Sequence, residues 1–331
     1  MNKRYQNGFF FIGAAILAIM VSQLDFKEVS EGISRAGYWF VAVVALWAFL
    51  YIFNTCAWWM IIKASTQKEP QAKRLSFFWL YKITVSGFAL NYATPGGLMG
   101  GEPYKIMSLT PMIGVERATA SVILHTMTHI FSHFWFWLIA CALFVVTEPV
   151  NVLTGTLLVS VTAFCLTAIW FFMKGYKKGI ARSVLQVVGK IPYLKGWGNR
   201  FVEHHAEQLA NIDMQIAALH GQNRQTFVAA VMLELTCRII SALEILFILL
   251  VIMPEANYIQ CILILAFTSL VANMLFFIPL QLGGREGGFL MSVNGLGMTA
   301  STGIFVALIV RLRELIWTGI GLLLIKLEKR D

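Results

Sequence analysis

The chain has 331 residues, 58% of them hydrophobic and 13% charged, with positive mean hydropathy. That composition excludes a water-soluble domain, a disulfide-stapled secreted module and a chain with a large separate catalytic domain. The 26 Lys and Arg against 17 Asp and Glu give a net charge of +9, but most basic residues sit just beyond apolar runs. There they orient a membrane protein rather than grip a nucleic acid.

At about 20 residues per crossing, the chain can span a bilayer roughly eight to ten times. Asn2-Lys3-Arg4 precede an apolar run at 8–23, with no convincing small-residue cleavage site after it, so a retained first span is expected. Residues 24–38, with Leu24, Phe26, Val29 and Ile33 spaced among charges, predict an outer helix lying flat in the interface. Further apolar runs fall at 39–62, 77–94, 117–146, 150–173, 227–253, 259–278 and 301–326, and two shorter glycine-rich stretches lie at 95–114 and 279–298. Between 174 and 225 the chain turns polar, with helically spaced Val184, Leu185, Val188 and Leu209, Ile212, Ile216, Leu219, which predicts a cytoplasmic amphipathic segment broken near Pro192. Cys56, Cys141, Cys165, Cys237 and Cys261 all lie inside apolar runs with no CxxC pair and read as small buried hydrophobes.

Basic clusters at Lys3-Arg4, Lys63 to Arg74, Lys174 to Lys190 and Lys326 to Arg330 mark alternate ends of the spans. The opposite connections, at 147–150 and 253–258, contain no Lys or Arg. The charge rule therefore places both termini in the cytoplasm, with Lys27 and Arg35 as the exceptions on the outer side.

A repeat is the most informative feature. Pro95, Leu98, Gly100, Glu102, Met107 and Ser108 recur as Pro279, Leu282, Gly284, Glu286, Met291 and Ser292 at one constant offset of 184 residues. The run before the first copy starts from cytoplasmic Lys73-Arg74, whereas the run before the second starts from a charge-free outer loop. The two copies thus enter from opposite sides. Inverted, Gly/Pro-interrupted segments point to a transporter with its site near the midplane. Backbone freed by proline and glycine must be enclosed by protein or line a wet cavity, so each copy reads as a re-entrant hairpin. The expected fold is a single all-α, polytopic helical membrane domain over 1–331, with a first repeat at 77–146 and a second at 259–326.

A short helix is expected to start near Glu102 and near Glu286, where free amides and the helix dipole favour an anion. Lys105 and Arg285 add positive charge there, which suits a phosphate. The substrate-binding candidates are Gly96, Gly97, Gly100, Gly101, Glu102, Lys105, Gly283, Gly284, Arg285, Glu286 and Arg311. Competing with this, Gly97/Gly101 and Gly284/Gly288 have the small-xxx-small spacing of close helix packing, and both glutamates can cap their own turns.

Lys82, Glu234, Arg238, Glu244, Arg311, Arg313 and Glu314 also fall within or near apolar runs, where an unpaired central charge costs about 2.5–3.5 kcal/mol. Glu234 and Arg238, four apart with the acid first, can pair on one helix face, and they read either as an interhelical clasp or as part of a polar cavity that carries an anionic headgroup. His125, His129 and His133 share a helix face with Thr126, Thr128 and Ser132, giving His125 and His129 as further polar lining. Two such histidines can bind zinc, but no acid or Cys on the same face completes a site, so no metal and no cofactor is expected. No nucleotide-binding loop, nucleophile elbow or metalloprotease motif is present, and the expectation is not an enzyme.

With Pro95 to Glu102, Lys105, the Gly283-Gly284-Arg285-Glu286-Gly287 turn and the apolar run carrying Arg311, the chain resembles the lysylphosphatidylglycerol synthase transmembrane family of flippase-like integral membrane proteins. It reads as a stand-alone form without the aminoacyl-transferase domain, and a position after the first hairpin helix where the family commonly carries Arg is here the His125-Thr126 region. The resemblance implies a translocator that moves a phospholipid or lipid-linked headgroup across the bacterial inner membrane by alternating access. Lys105, Arg285 and Arg311 would attract the phosphate, and Glu102 and Glu286 would set hairpin geometry or bind an amine. The alternatives are a non-transporting lipid-binding scaffold or accessory subunit of a cell-envelope enzyme, and a small-solute or metal-ion transporter. Expected partners are the lipid substrate and the membrane, with no nucleic acid; a homo-oligomer or a cell-envelope enzyme partner is admitted.

Overall fold

The computed structural model describes residues 26–66, 75–93, 100–175, 224–275 and 283–327, with isolated positions between 7 and 22 and at 214. The first span, the turns at 95–99 and 279–282, and nearly all of the polar segment at 174–225 lie outside the described residues. Among the described residues there are ten helices and no strand.

They run α1 (Phe26–Ala36), α2 (Tyr38–Thr66), α3 (Phe77–Ala93), α4 (Gly101–Ile113), α5 (Val115–Thr147), α6 (Val152–Gly175), α7 (Arg224–Leu249), α8 (Tyr258–Met274), α9 (Gly284–Gly295) and α10 (Ala300–Leu327). The apolar runs from residue 39 onward become helices with ends shifted by a few residues. The two glycine-rich stretches each yield a short helix, starting at Gly101 and Gly284, next to the expected Glu102 and Glu286. A helix also stands where the interfacial segment was expected: α1 packs on α10, with Gly32 against Leu308 and the Arg35 guanidinium over the Phe305 ring.

Three helices, at Tyr38–Ser65, Val115–Thr147 and Val152–Met173, are long and apolar enough to cross a membrane. The helix α6 packs chiefly on α5 and leaves Val152, Leu157, Val159, Phe164, Leu166, Trp170 and Phe171 exposed. Apolar side chains turned outward along 24 residues suit hydrocarbon rather than water. Helices α7 and α10 have comparable length but carry charges in their middles.

The helices α2, α3, α4 and α5 each have a counterpart about 184 residues later in α7, α8, α9 and α10. Their packing matches too. The pairs α2–α3, α3–α4 and α4–α5 recur as α7–α8, α8–α9 and α9–α10, while α3 packs on α10 as α8 packs on α5, and α2 lies against α7. Glycines permit the closest approaches: Gly288 lies against Thr268 of α8, and Gly321 against Val85, Ser86 and Ala89 of α3.

Two apolar clusters lie on either side of a polar layer. One holds Phe136, Ile245, Ile264, Phe289 and Ile309, the other Trp58, Leu80, Ile83, Tyr104 and Leu322. Along α5 the polar step between clusters is His125 and His129; along α10 it is Arg313, Glu314 and Thr318.

Candidate functional site

Within the polar layer lies a half-open cavity of ≈ 230 Å³. Trp47, Tyr51 and Asn54 line it from α2, Phe88 and Tyr92 from α3, His129 from α5, Glu234, Arg238 and Ser241 from α7, Arg285 from α9, and Arg313, Glu314 and Trp317 from α10. Most of these positions fall near the middle of helices of 26 to 33 residues, so the cavity lies well inside the bundle.

One wall carries a bidentate ion pair. The Arg313 Nε and Nη2 donate to Glu244 Oε1 and Oε2 at 2.7 and 2.9 Å, and the guanidinium lies over the Trp47 ring. Trp47 Nε1 also donates to Glu244 Oε2 at 3.0 Å. Beside it Arg285 pairs with Glu314, and Arg311 reaches Glu286 at 2.9 Å.

The opposite wall is built around Glu234, which is fully buried. Asn54 Nδ2 donates to its Oε2 at 2.9 Å, His129 Nδ1 lies 2.8 Å from the same oxygen, and His125 Nε2 lies 3.3 Å from Oε1. The pairing that the i, i+4 spacing permits is not formed: no ion pair joins Glu234 and Arg238, and both reach to neighbouring helices instead. Their α-helical spacing puts them on one face, but Glu234 accepts from Asn54 of α2 and bonds the His129 ring of α5, whereas the longer Arg238 reaches the Ser132 Oγ and the His129 carbonyl at 2.8 and 3.2 Å. Arg238 has no carboxylate within ion-pair distance among the described residues.

Next to this wall, Glu102 accepts from Asn91 Nδ2 at 3.1 Å and Thr126 Oγ1 at 3.2 Å, with Lys105 Nζ at 3.5 Å. Lys105 is buried, its stem against Gly87 and its ammonium near the Trp58 and Phe88 rings. The Gly101 amide donates to Asn91 Oδ1 at 2.8 Å, so a side chain from α3 occupies the first amide of α4. In the second half Glu286 accepts from the Gly283 amide at 2.9 Å and caps its own turn, while Glu102 does not. Gly100 and Gly284 are described at the starts of α4 and α9; Gly96 and Gly97 lie outside the described residues.

The structure therefore brings His129, Glu234, Arg238 and Arg285 to one cavity, with His125 behind Glu234. Lys105, Arg285 and Arg311, the expected phosphate ligands, each already face a carboxylate. Glu244, Arg313 and Glu314 were legible only as charges in apolar runs, and nothing marked Asn54 or Tyr92 beyond their being polar within such runs. Among the described residues, no group of three or more His, Cys, Asp and Glu is arranged to hold a metal ion.

A family model for the lysylphosphatidylglycerol synthase TM region matches residues 8–321. The chain belongs to this family. Membership makes it a membrane protein of lipid or headgroup handling, and the match spans both sets of helices that build the cavity. No curated protein and no solved structure matches the chain.

Proposed function

We propose that this member of the lysylphosphatidylglycerol synthase transmembrane family moves a phospholipid or lipid-linked headgroup across the bacterial inner membrane. The observation that carries this reading is the cavity itself, lined by arginines, glutamates and a histidine in the middle of helices whose outer faces are apolar. Charges at that depth are costly, and they mark a polar path when they surround space rather than fill it. At ≈ 230 Å³ the cavity falls below the roughly 300 Å³ of the smallest usual ligand pockets, so it suits a headgroup whose acyl tails stay in lipid.

Matched packing supports alternating access. Exchanging α2–α5 with α7–α10 preserves the neighbour pairs, as a two-fold axis between the sets would. Together with the basic clusters at opposite ends, this favours inverted halves that rock about the cavity, with the Gly/Pro turns as re-entrant hairpins.

The test is a leaflet-resolved assay in vesicles carrying headgroup-labelled phosphatidylglycerol. Wild-type protein is expected to speed equilibration between leaflets, and Arg238→Gln to slow it by about 10-fold or more, the loss of a charged hydrogen bond to the phosphate. Folded protein that moves no anionic lipid rejects the proposal.

A further inference from the structure

We infer that the cavity takes up one proton with each phosphate headgroup, the proton residing on His129 Nε2 and the phosphate between that nitrogen and Arg238. This rests on the translocation reading and supplies its energetic coupling. The cations Lys105, Arg238, Arg285, Arg311 and Arg313 are matched in number by the carboxylates Glu102, Glu234, Glu244, Glu286 and Glu314, so the cavity and its surround are neutral when the histidines are. A monoanionic phosphodiester entering this neutral enclosure leaves one uncompensated negative charge at depth, which costs several kcal/mol. Protonation of one histidine cancels it.

The geometry selects His129. Its Nδ1 is committed to Glu234 Oε2, so the neutral ring carries its hydrogen there, and the other nitrogen is left to accept a proton. His129 lines the cavity with its side chain 30% exposed, whereas His125 is 2% exposed and stacks on Trp58. Arg238 donates to the His129 carbonyl and has hydrogen-bonding capacity left over, so the two cationic groups would be adjacent when the phosphate arrives. Glu234 supplies the counter-charge behind the imidazolium.

Next to His129, His133 keeps a buried Nδ1 that is unpartnered among the described residues, but it does not line the cavity. From α7, His129 faces Glu234 and Arg238; from α2, Asn54 on the same carboxylate; from α3, the Phe88 ring. His125 and His133 flank it on α5, and α4 contributes Glu102 and Lys105, which pair with each other. Helix α8 and residues 152–173 of α6 contribute no charged side chain. Across the cavity, Arg285, Arg313 and Glu314 are already paired.

The experiment is calorimetric titration of the full chain in detergent with glycerophosphoglycerol, in two buffers of unlike ionisation enthalpy. At pH 7.5 the buffer dependence is expected to report about one proton absorbed per anion. Glu234→Gln leaves the empty cavity one unit positive, so it is expected to bind the anion with no proton uptake, and His129→Asn is expected to bind more weakly with none. Binding by wild type without proton uptake, uptake that persists in both variants, or no binding by folded protein overturns the inference. Lipid movement in vesicles without binding-linked uptake leaves translocation standing and removes the coupling. Uptake with no lipid movement does the reverse.

Discussion

Arg313 and Glu244 show how much of the cavity wall depends on pairing. Their side chains are 4% and 3% exposed, and two parallel hydrogen bonds plus the Trp47 ring and indole surround them. Removing one partner strands the other charge in a dry site, which costs about 3–5 kcal/mol, while replacing both by apolar residues of similar volume is often neutral. Arg313→Met is therefore expected to lower the thermal midpoint in detergent sharply, and Arg313→Met with Glu244→Leu to restore most of it. A double variant as unstable as the single one would show that the pair organises more than its own charges. Such pairs were only half legible. Each charge stands out inside an apolar run, but partners separated by 69 residues are joined by the packing of α7 near α10, and no local spacing encodes that. The i, i+4 spacing of Glu234 and Arg238 permits a pair that the fold does not form, for the same reason: neighbouring helices offer each residue other partners.

The crossing of α3 with α4 depends on two glycines with different tolerances. A Cβ on Gly101 would strike the Gly87 carbonyl and the Asn91 amide, both held in place, because Asn91 also takes the Gly101 amide and bonds Glu102. A Cβ on Gly87 would meet the stem of Lys105, a flexible side chain that can shift. Gly101→Ala is thus expected to cost about 1–3 kcal/mol through overpacking. Gly87→Ala is expected to cost less, and unfolding titrations of both variants in mixed micelles check the order. Equal losses would mean that Lys105 cannot move, and that its contact with Glu102 is as stiff as backbone. Sequence reading placed Gly101 in a small-xxx-small pattern with Gly97, which correctly marked a close approach but not the partner helix. Gly114 carries a different requirement: it alone links α4 to α5 and does so at φ +84°, a conformation that side-chained residues avoid.

At the scale of the molecule, the helices were legible because apolar length marks them directly, and the offset of 184 residues located the matching sets. The extent of the match was not. Beyond the fourteen-residue motif little identity survives, yet α2 and α7 also correspond, because packing constrains helix length and position more tightly than side-chain identity. The opposite insertion proposed for the halves makes a prediction about these two helices. The end of α2 at Lys63 and the loop after α7 at Glu255 are equivalent ends of counterpart helices, both exposed, and inversion puts them on opposite sides of the membrane. Chains with one added cysteine, Glu255→Cys or Val150→Cys, are expected to react with a membrane-impermeant maleimide in intact cells, and those with Lys63→Cys or Lys326→Cys only after permeabilisation. The parent chain, whose five cysteines are buried or half-buried, sets the background. Labelling of positions 63 and 255 from the same side would make the halves parallel copies. A two-fold axis in the membrane plane would then be impossible, and the cavity would have to open by some motion other than the exchange of equivalent halves.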